Sequence, residues 1–76
     1  MSGELLRVWG ANIKELRESD RVGKTREQFA EAVGVSVSTV SRWENGLMTP
    51  SDAHKLEIAY ALGADVRLIF PLVRIA

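Results

Sequence analysis

The spacing of apolar residues divides the chain into short helical segments. In the first segment, apolar side chains recur at intervals of four, four and three residues: Leu5, Trp9, Ile13 and Leu16. This stripe predicts an amphipathic helix over residues 4–18. Gly10 weakens that helix by about 1 kcal/mol relative to alanine, a cost that close packing would explain. Residues 19–24 are predicted to form a loop, in which Asp20 and Arg21 either reach a phosphate or are solvated.

A second helix is predicted over residues 26–33, because Phe29, Ala30 and Val33 recur at helical spacing. Thr25 can cap this helix. Its hydroxyl can accept a hydrogen bond from the amide of Gln28, and the Gln28 side chain can reach back to Thr25. Gly34 ends the helix, because glycine adopts the left-handed conformation without steric cost.

The third predicted helix, over residues 37–45 after Ser36 as N-cap, has two different faces. Val40 and Trp43 point to one side. The opposite arc has no ladder of Lys and Glu, and it carries Val37, Ser38, Ser41, Arg42 and Asn45. These residue types suit the major groove of DNA. Arginine can bond guanine O6 and N7 together, serine can donate or accept, and valine can contact a thymine methyl group.

The last third of the chain predicts two more helices and a tail. The fourth helix spans about residues 52–62, and its apolar positions are Ala53, Leu56, Ile58, Ala59 and Leu62. Gly63 ends it, and Asp65 can cap a short fifth helix over residues 66–70. Pro71 cannot continue that helix. The remaining tail, residues 72–76, is apolar and β-prone.

Residues 25–46 resemble the helix-turn-helix of the Cro/CI-type repressors, also called the xenobiotic-response-element family. The run SVSTVSRWENG from Ser36 to Gly46 is the most specific part of this resemblance. Similar flanking segments extend it over about residues 9–70: Trp9-Gly10, Ile13 to Arg17, Thr49 to Ser51 and Ala59 to Gly63. The resemblance implies an all-α fold. It would be one domain over residues 1–76, with five helices as in lambda repressor and a short C-terminal strand or an extended tail.

The family also implies roles for individual residues. The positions matching Val37, Ser38 and Arg42 usually read bases, and Ser41 lies on the same arc. Residues expected at the phosphate backbone are Lys24, Thr25, Arg26, Asn45 and Thr49. Helix N-termini attract phosphate, which favours Arg26 at the start of the second helix. The alternatives are a solvated Arg42, serines that bond locally to the backbone, and a Thr25 that only caps.

By the same resemblance, Arg17 and Glu44 form an internal salt bridge between the first and third helices. A free carboxylate at Glu44 would repel phosphate, and pairing removes that repulsion. The alternative is a pair of independent surface charges. Trp9 and Trp43 could stack on single-stranded nucleic acid, but their helical spacing with apolar neighbours favours the core.

Charge is the main argument against nucleic acid. Ten basic and ten acidic residues give zero net charge, whereas a DNA-binding domain is usually basic. Few phosphate contacts, a shallow salt dependence and weak non-specific affinity should follow. Such a protein would need two copies on DNA to bind tightly.

Several function classes find no support in the sequence. The chain has no cysteine, so it has neither a disulfide framework nor a thiolate metal site. His54, the only histidine, has no paired nucleophile or carboxylate, so neither an enzyme nor a cofactor is expected. With no signal peptide evident and no apolar run of about 20 residues, a cytoplasmic, nucleoid-associated protein is expected.

The apolar end of the chain suggests self-association. Residues 66–76 would form a dimerisation tail through Ile69, Phe70, Leu72, Val73 and Ile75. A tail strand paired with its mate would resemble the Cro branch of the family. The alternative is a tail that folds back on its own core. A two-fold dimer requires a pseudo-palindromic operator with half-sites about one helical turn apart.

The sequence therefore predicts a transcriptional regulator that binds double-stranded DNA sequence-specifically, a repressor that occludes a promoter as a dimer. The competing hypothesis is a protein-interaction module, antitoxin-like or binding a partner regulator. In that case the helix-turn-helix is only a scaffold, and the apolar tail holds the partner.

Overall fold

The computed structural model describes residues 3–73, and these residues form five helices and no strand. The helices are α1 (Gly3–Glu18), α2 (Arg26–Val33), α3 (Val37–Glu44), α4 (Asp52–Leu62) and α5 (Val66–Ile69). The predicted all-α, five-helix fold is confirmed, and each predicted helix end lies within one residue of the observed one. Up to Val73 the tail is not a strand, and residues 74–76 lie outside the described part.

Local side-chain caps set where the helices begin. Thr25 and Gln28 form the predicted capping box at α2, since Gln28 N donates to Thr25 Oγ1 at 3.1 Å and Thr25 N donates to Gln28 Oε1 at 2.9 Å. Ser36, Ser51 and Asp65 cap α3, α4 and α5 in the same way, each accepting a hydrogen bond from a backbone amide of the first turn. These caps satisfy amides that would otherwise lack partners.

The core collects apolar side chains from all five helices. Its largest fully buried members are Trp43, Phe29, Phe70, Ile13, Ile58, Leu62, Ile69 and Val40. Trp9 is also buried, and its ring meets Phe70 edge-on at 5.4 Å between centroids. Both tryptophans therefore belong to the core, as their spacing predicts.

The C-terminal segment folds back on α1. Trp9 Nε1 donates to the carbonyl of Pro71 at 2.9 Å, and Asn12 Nδ2 donates to the carbonyl of Ile69 at 3.0 Å. Ile69 and Phe70 are 0% exposed, so they pack in the core of their own chain, as the alternative of a folded-back tail expects, and their role in a dimer stays a prediction. Val73 is half-buried against the core and Leu72 is 85% exposed. Ile75 lies outside the described residues.

The inner face of α4 differs from the predicted one. Ile58, Ala59 and Leu62 are buried as expected, but Ala53 and Leu56 are exposed and Lys55 is buried. Lys55 places its ammonium over the Trp9 ring, with Nζ 5.0 Å from the ring centroid and 3.3 Å from Asp52 Oδ1. A lysine can occupy this buried position because the face of the ring and the Asp52 carboxylate both attract its ammonium.

The loop between α1 and α2 is tied to α4. Arg21 Nη2 donates to the carbonyl of Leu62 at 2.8 Å, at the C-terminal end of α4. The Arg21 side chain is exposed but held by this hydrogen bond, so it is not simply solvated; a contact with phosphate stays a prediction. A cation is favourable at this end of a helix because unpaired carbonyls and the helix dipole make it negative.

Candidate nucleic-acid interface

The side of α3 that the sequence assigns to DNA is open in the structure. Val37 is 39% exposed; Ser38, Arg42 and Asn45 are exposed, and Ser41 is half-buried. The opposite side is anchored in the core, where Val40 is 0% and Trp43 is 2% exposed. The helix is therefore held firmly by one face and presents the other to solvent.

Arg42 lies on this open face without an ionic partner. Among the described residues, no carboxylate oxygen lies within ion-pair distance of its guanidinium. Ser41 Oγ accepts a hydrogen bond of 3.3 Å from Asn45 Nδ2, and its hydroxyl hydrogen remains able to donate. The open face thus offers a free guanidinium, hydroxyl groups, an amide and one apolar side chain. Those groups match the donor, acceptor and methyl pattern of a major groove.

The turn between α2 and α3 fixes the angle at which α3 is presented. Gly34 has φ 83°, a conformation that costs little only for glycine. Its amide and that of Val35 both donate to the carbonyl of Ala30, at 2.8 and 3.0 Å. Ser36 then caps α3 through Thr39 N at 3.1 Å. These hydrogen bonds restrict the backbone torsions of all three turn residues, so the turn holds α2 and α3 at a defined angle.

A buried carboxylate joins three helices beside this open face. Glu44 Oε2 accepts from Arg17 Nε at 2.7 Å, and Glu44 Oε1 accepts from Arg17 Nη2 at 3.0 Å. The Glu44 side chain is 0% exposed and that of Arg17 is 6% exposed. The ion pair implied by the family resemblance is therefore present as a bidentate, buried contact. The hydrogen bond from Glu44 raises the pKa of Arg17 above its ordinary value, so this guanidinium stays charged.

Arg26 also binds Glu44, which sequence reasoning missed. Its Nε donates to Glu44 Oε1 at 3.1 Å, and its side chain is 37% exposed. One carboxylate therefore holds two guanidinium groups, and the cluster of Arg17, Arg26 and Glu44 carries a net charge of +1. Within residues 3–73, the terminal nitrogens of Arg26 have no hydrogen-bond partner. They lie at the N-terminus of α2, which is favourable for a phosphate oxygen.

The other residues expected to contact phosphate differ in their exposure and in the hydrogen bonds they already form. The Thr25 hydroxyl already accepts the capping hydrogen bond from Gln28 N. Lys24 is half-buried, and its carbonyl accepts from Arg17 Nη1 at 2.9 Å. Asn45 is exposed at the end of α3, and Thr49 is half-buried in the following loop. In the chain, Lys24 and Thr25 precede α2, and Asn45 and Thr49 follow α3.

Other chemistry finds little support in the described residues. Residues 3–73 contain no group of His, Cys, Asp and Glu side chains arranged to hold a metal ion. His54 contacts Ser51 Oγ through Nδ1 at 3.0 Å, and its ring lies 5.4 Å from that of Trp43. None of the five described helices has the length and hydropathy needed to cross a membrane.

Comparison with known proteins agrees with the observed geometry. The helix-turn-helix family model matches residues 13–69. The restriction-modification controller protein C.AhdI from Aeromonas hydrophila is 31% identical, covering 86% of this chain and 96% of its own, with a TM-score of 0.78. The clp gene regulator ClgR from Corynebacterium glutamicum is also 31% identical, covering 86% of this chain and 82% of its own, with a TM-score of 0.76.

A more distant structure shares the fold alone. The SOS-response transcriptional repressor LexA from Eubacterium rectale is 18% identical, with a TM-score of 0.77, and covers 96% of this chain and 78% of its own. Among curated protein sequences, none matches the chain.

Proposed function

This chain belongs to the Cro/CI-type helix-turn-helix family of DNA-binding transcription regulators, and we propose that it recognises a specific duplex sequence through α3. The observation that carries the proposal is the open face of α3. Its opposite face is buried, while Val37, Ser38 and Arg42 on the other side are all exposed within residues 3–73. Arg42 contacts a guanine, Val37 and Ser38 contact neighbouring base edges, and Ser41 assists at the same groove wall.

The phosphate backbone is held from the two sides of that face. Arg26 and Lys24 approach it at the start of α2, where Thr25 orders the first turn. Asn45 and Thr49 approach it beyond the end of α3. Glu44 does not oppose this contact, because two arginines neutralise its charge. Since one nitrogen of Arg26 is committed to Glu44, the contribution of Arg26 is directional as well as ionic.

The experiment that tests base recognition is selection of bound duplexes from a random pool, followed by affinity measurements on the selected site. Arg42→Ala should weaken binding by about 1–3 kcal/mol, roughly 5- to 150-fold, and relax selection at one base pair. Arg67→Ala is a matched control, because Arg67 is exposed on α5, which packs on α1 and α4. Unchanged affinity and unchanged base preference in Arg42→Ala would refute the assignment.

We further propose that two copies act together and repress by occluding a promoter. The α1–α5 apolar surface comprises two pockets, one lined by Leu5, Val8 and Leu72 and the other by Leu16 and Leu68. Val8 is 43%, Leu68 is 73% and Leu72 is 85% exposed. An apolar surface of this kind is typical of a protein–protein contact. A two-fold pair would double the phosphate contacts of a chain that has no net charge, and it predicts a selected site with two inverted halves.

A second candidate function rests on α4. Leu56 is 51% and Tyr60 is 87% exposed, so this helix presents an apolar face outward as well as inward. Such a face favours the protein-interaction module, with a partner protein bound on α4. A mobility-shift assay at low salt on random and genomic fragments separates the two functions. Absence of any shift would favour the partner-binding module over DNA recognition.

A further inference from the structure

Helix α1 passes across the C-terminal end of α3 at the position of Arg7. A Cβ atom added at Gly46 would lie 2.9 Å from Arg7 Cγ and 3.0 Å from Arg7 Cα. Gly46 follows Asn45, the last residue of the open face of α3. The main chain of Arg7 therefore lies directly beside the end of the recognition helix, although it is far outside the helix-turn-helix in sequence.

The fold makes no visible use of the Arg7 side chain. Arg7 is exposed. Within residues 3–73 it forms no ion pair, and Glu4, one turn earlier on α1, does not pair with it. A lysine or arginine beside a helix C-terminus often bonds the last carbonyl groups, which would be the ordinary structural explanation for this residue.

Backbone amides already bind three of these carbonyls, so the end of α3 offers few free acceptors to Arg7. Asn45 N donates to Ser41 O at 3.0 Å, Leu47 N donates to Arg42 O at 2.9 Å, and Gly46 N donates to Trp43 O at 3.1 Å. Arg26 is partly committed to Glu44, whereas all donors of the Arg7 guanidinium are unpaired within the described chain.

We propose that Arg7 binds a phosphate flanking the C-terminal end of α3, so that the DNA interface extends beyond the helix-turn-helix onto α1. This inference rests on the proposed recognition of duplex DNA by α3. The Cα and Cγ atoms of Arg7 lie beside Gly46, so Arg7 is at the same end of the groove-facing helix as the proposed Asn45 and Thr49 contacts. In a chain with equal numbers of acidic and basic residues, one additional unpaired cation is a substantial part of the phosphate-binding charge.

The test measures affinity for the selected duplex as a function of salt concentration. Arg7→Gln keeps the side-chain stem against Gly46 and removes the charge. Its plot of log affinity against log salt should be shallower by about 0.9 for each bound copy of the chain, with several-fold weaker binding and an unchanged base preference. Arg7→Lys should retain most of the salt dependence. Arg67→Gln should leave both quantities unchanged, because Arg67 is equally exposed but lies on α5.

A second measurement separates a phosphate contact from a structural effect. Uncharged methylphosphonates are placed one at a time in the operator, and one position should weaken the wild-type protein but have little further effect on Arg7→Gln. The proposal is overturned if the wild-type protein binds and Arg7→Gln shows the same salt dependence and affinity. If the wild-type protein binds no duplex, the proposed function fails, and the Arg7 contact fails with it.

Discussion

Gly10 lies directly against the main-chain carbonyl group of Trp43, where α1 crosses the end of α3. A Cβ atom added at Gly10 would lie 2.6 Å from Glu44 O and closer still to Trp43 O. Backbone atoms cannot move aside as the end of a flexible side chain can. The absence of a side chain at Gly10 therefore lets α1 approach α3 closely enough for Arg17 to reach Glu44.

Gly10→Ala should destabilise the protein. Helix propensity alone favours alanine by about 1 kcal/mol, but the collision with two carbonyl groups should cost more, giving a net loss of about 1–3 kcal/mol. Urea denaturation measures the difference. Gly3→Ala is the control in the same helix, because nothing lies within 4 Å of a Cβ at Gly3. Equal gains in stability for both variants would contradict the packing argument.

Glu44→Gln should lower the unfolding free energy far more than the similar size of the two side chains suggests. It removes the carboxylate that both Arg17 and Arg26 bind through Nε, and it leaves the buried Arg17 guanidinium with the solvent-exposed Glu18 carboxylate as its remaining counter-charge within residues 3–73. The expected loss is about 3–5 kcal/mol of unfolding free energy, measured by thermal and urea denaturation. Glu18→Gln is the control, since Glu18 is 56% exposed and 3.7 Å from Arg17, and should cost under about 1 kcal/mol. Similar losses in the two variants would argue against this network.

Lys55→Met should leave the stability nearly unchanged or raise it by up to about 1 kcal/mol. Methionine preserves apolar contact with Trp9 and removes an ammonium group from a buried position. Lys55→Ala should instead lose about 2 kcal/mol, because most of a buried side chain is removed and a cavity is left beside the core. Chemical denaturation of the two variants separates packing from charge. A methionine variant as unstable as the alanine variant would show that the ammonium contacts dominate.

Leu72→Asn should affect folding and self-association in opposite directions. Leu72 has φ 68° in the turn that Val73 N closes by donating to Phe70 O at 3.1 Å. A leucine there costs about 1–2 kcal/mol, and asparagine tolerates this conformation better. Because Leu72 is 85% exposed, little burial is lost, and the monomer should gain about 0.5–1 kcal/mol.

The same substitution removes an apolar side chain from the α1–α5 surface, so dimerisation should weaken. Denaturation at low protein concentration and sedimentation equilibrium measure the two effects. Leu68→Asn is the control, since Leu68 is exposed on the same surface but lies in helix α5. It should weaken the dimer without stabilising the monomer. A dimer unaffected by either substitution would exclude this surface as the contact.

Local sequence signals were sufficient for the positions of the helices. The capping box of Thr25 and Gln28 spans three residues, and the left-handed cap at Gly34 closes on Ala30 four residues earlier. Interactions of this range are encoded in neighbouring residue types, so helix boundaries and the open arc of α3 could be predicted directly. The Arg17–Glu44 pair could be expected only through the family resemblance, because its two residues are 27 positions apart.

Long-range packing decided what the local pattern left ambiguous. Helix α4 has apolar residues on both sides, so periodicity could not show that Lys55 lies inside and Leu56 outside. The sequence alone indicated no partner for the Arg26 side chain other than phosphate. In the folded chain, the crossing of α2 and α3 brings Arg26 Nε to Glu44 Oε1.

The sequence by itself thus determined the helices and the chemistry of the open face of α3. Only the tertiary structure decided that Ile69 and Phe70 belong to the core. The C-terminal segment that carries them is held on α1 by a hydrogen bond between Trp9 and Pro71, which are 62 residues apart. The physical reason is that caps and helical periodicity depend on residues within about one turn. Burial, by contrast, depends on which helices meet.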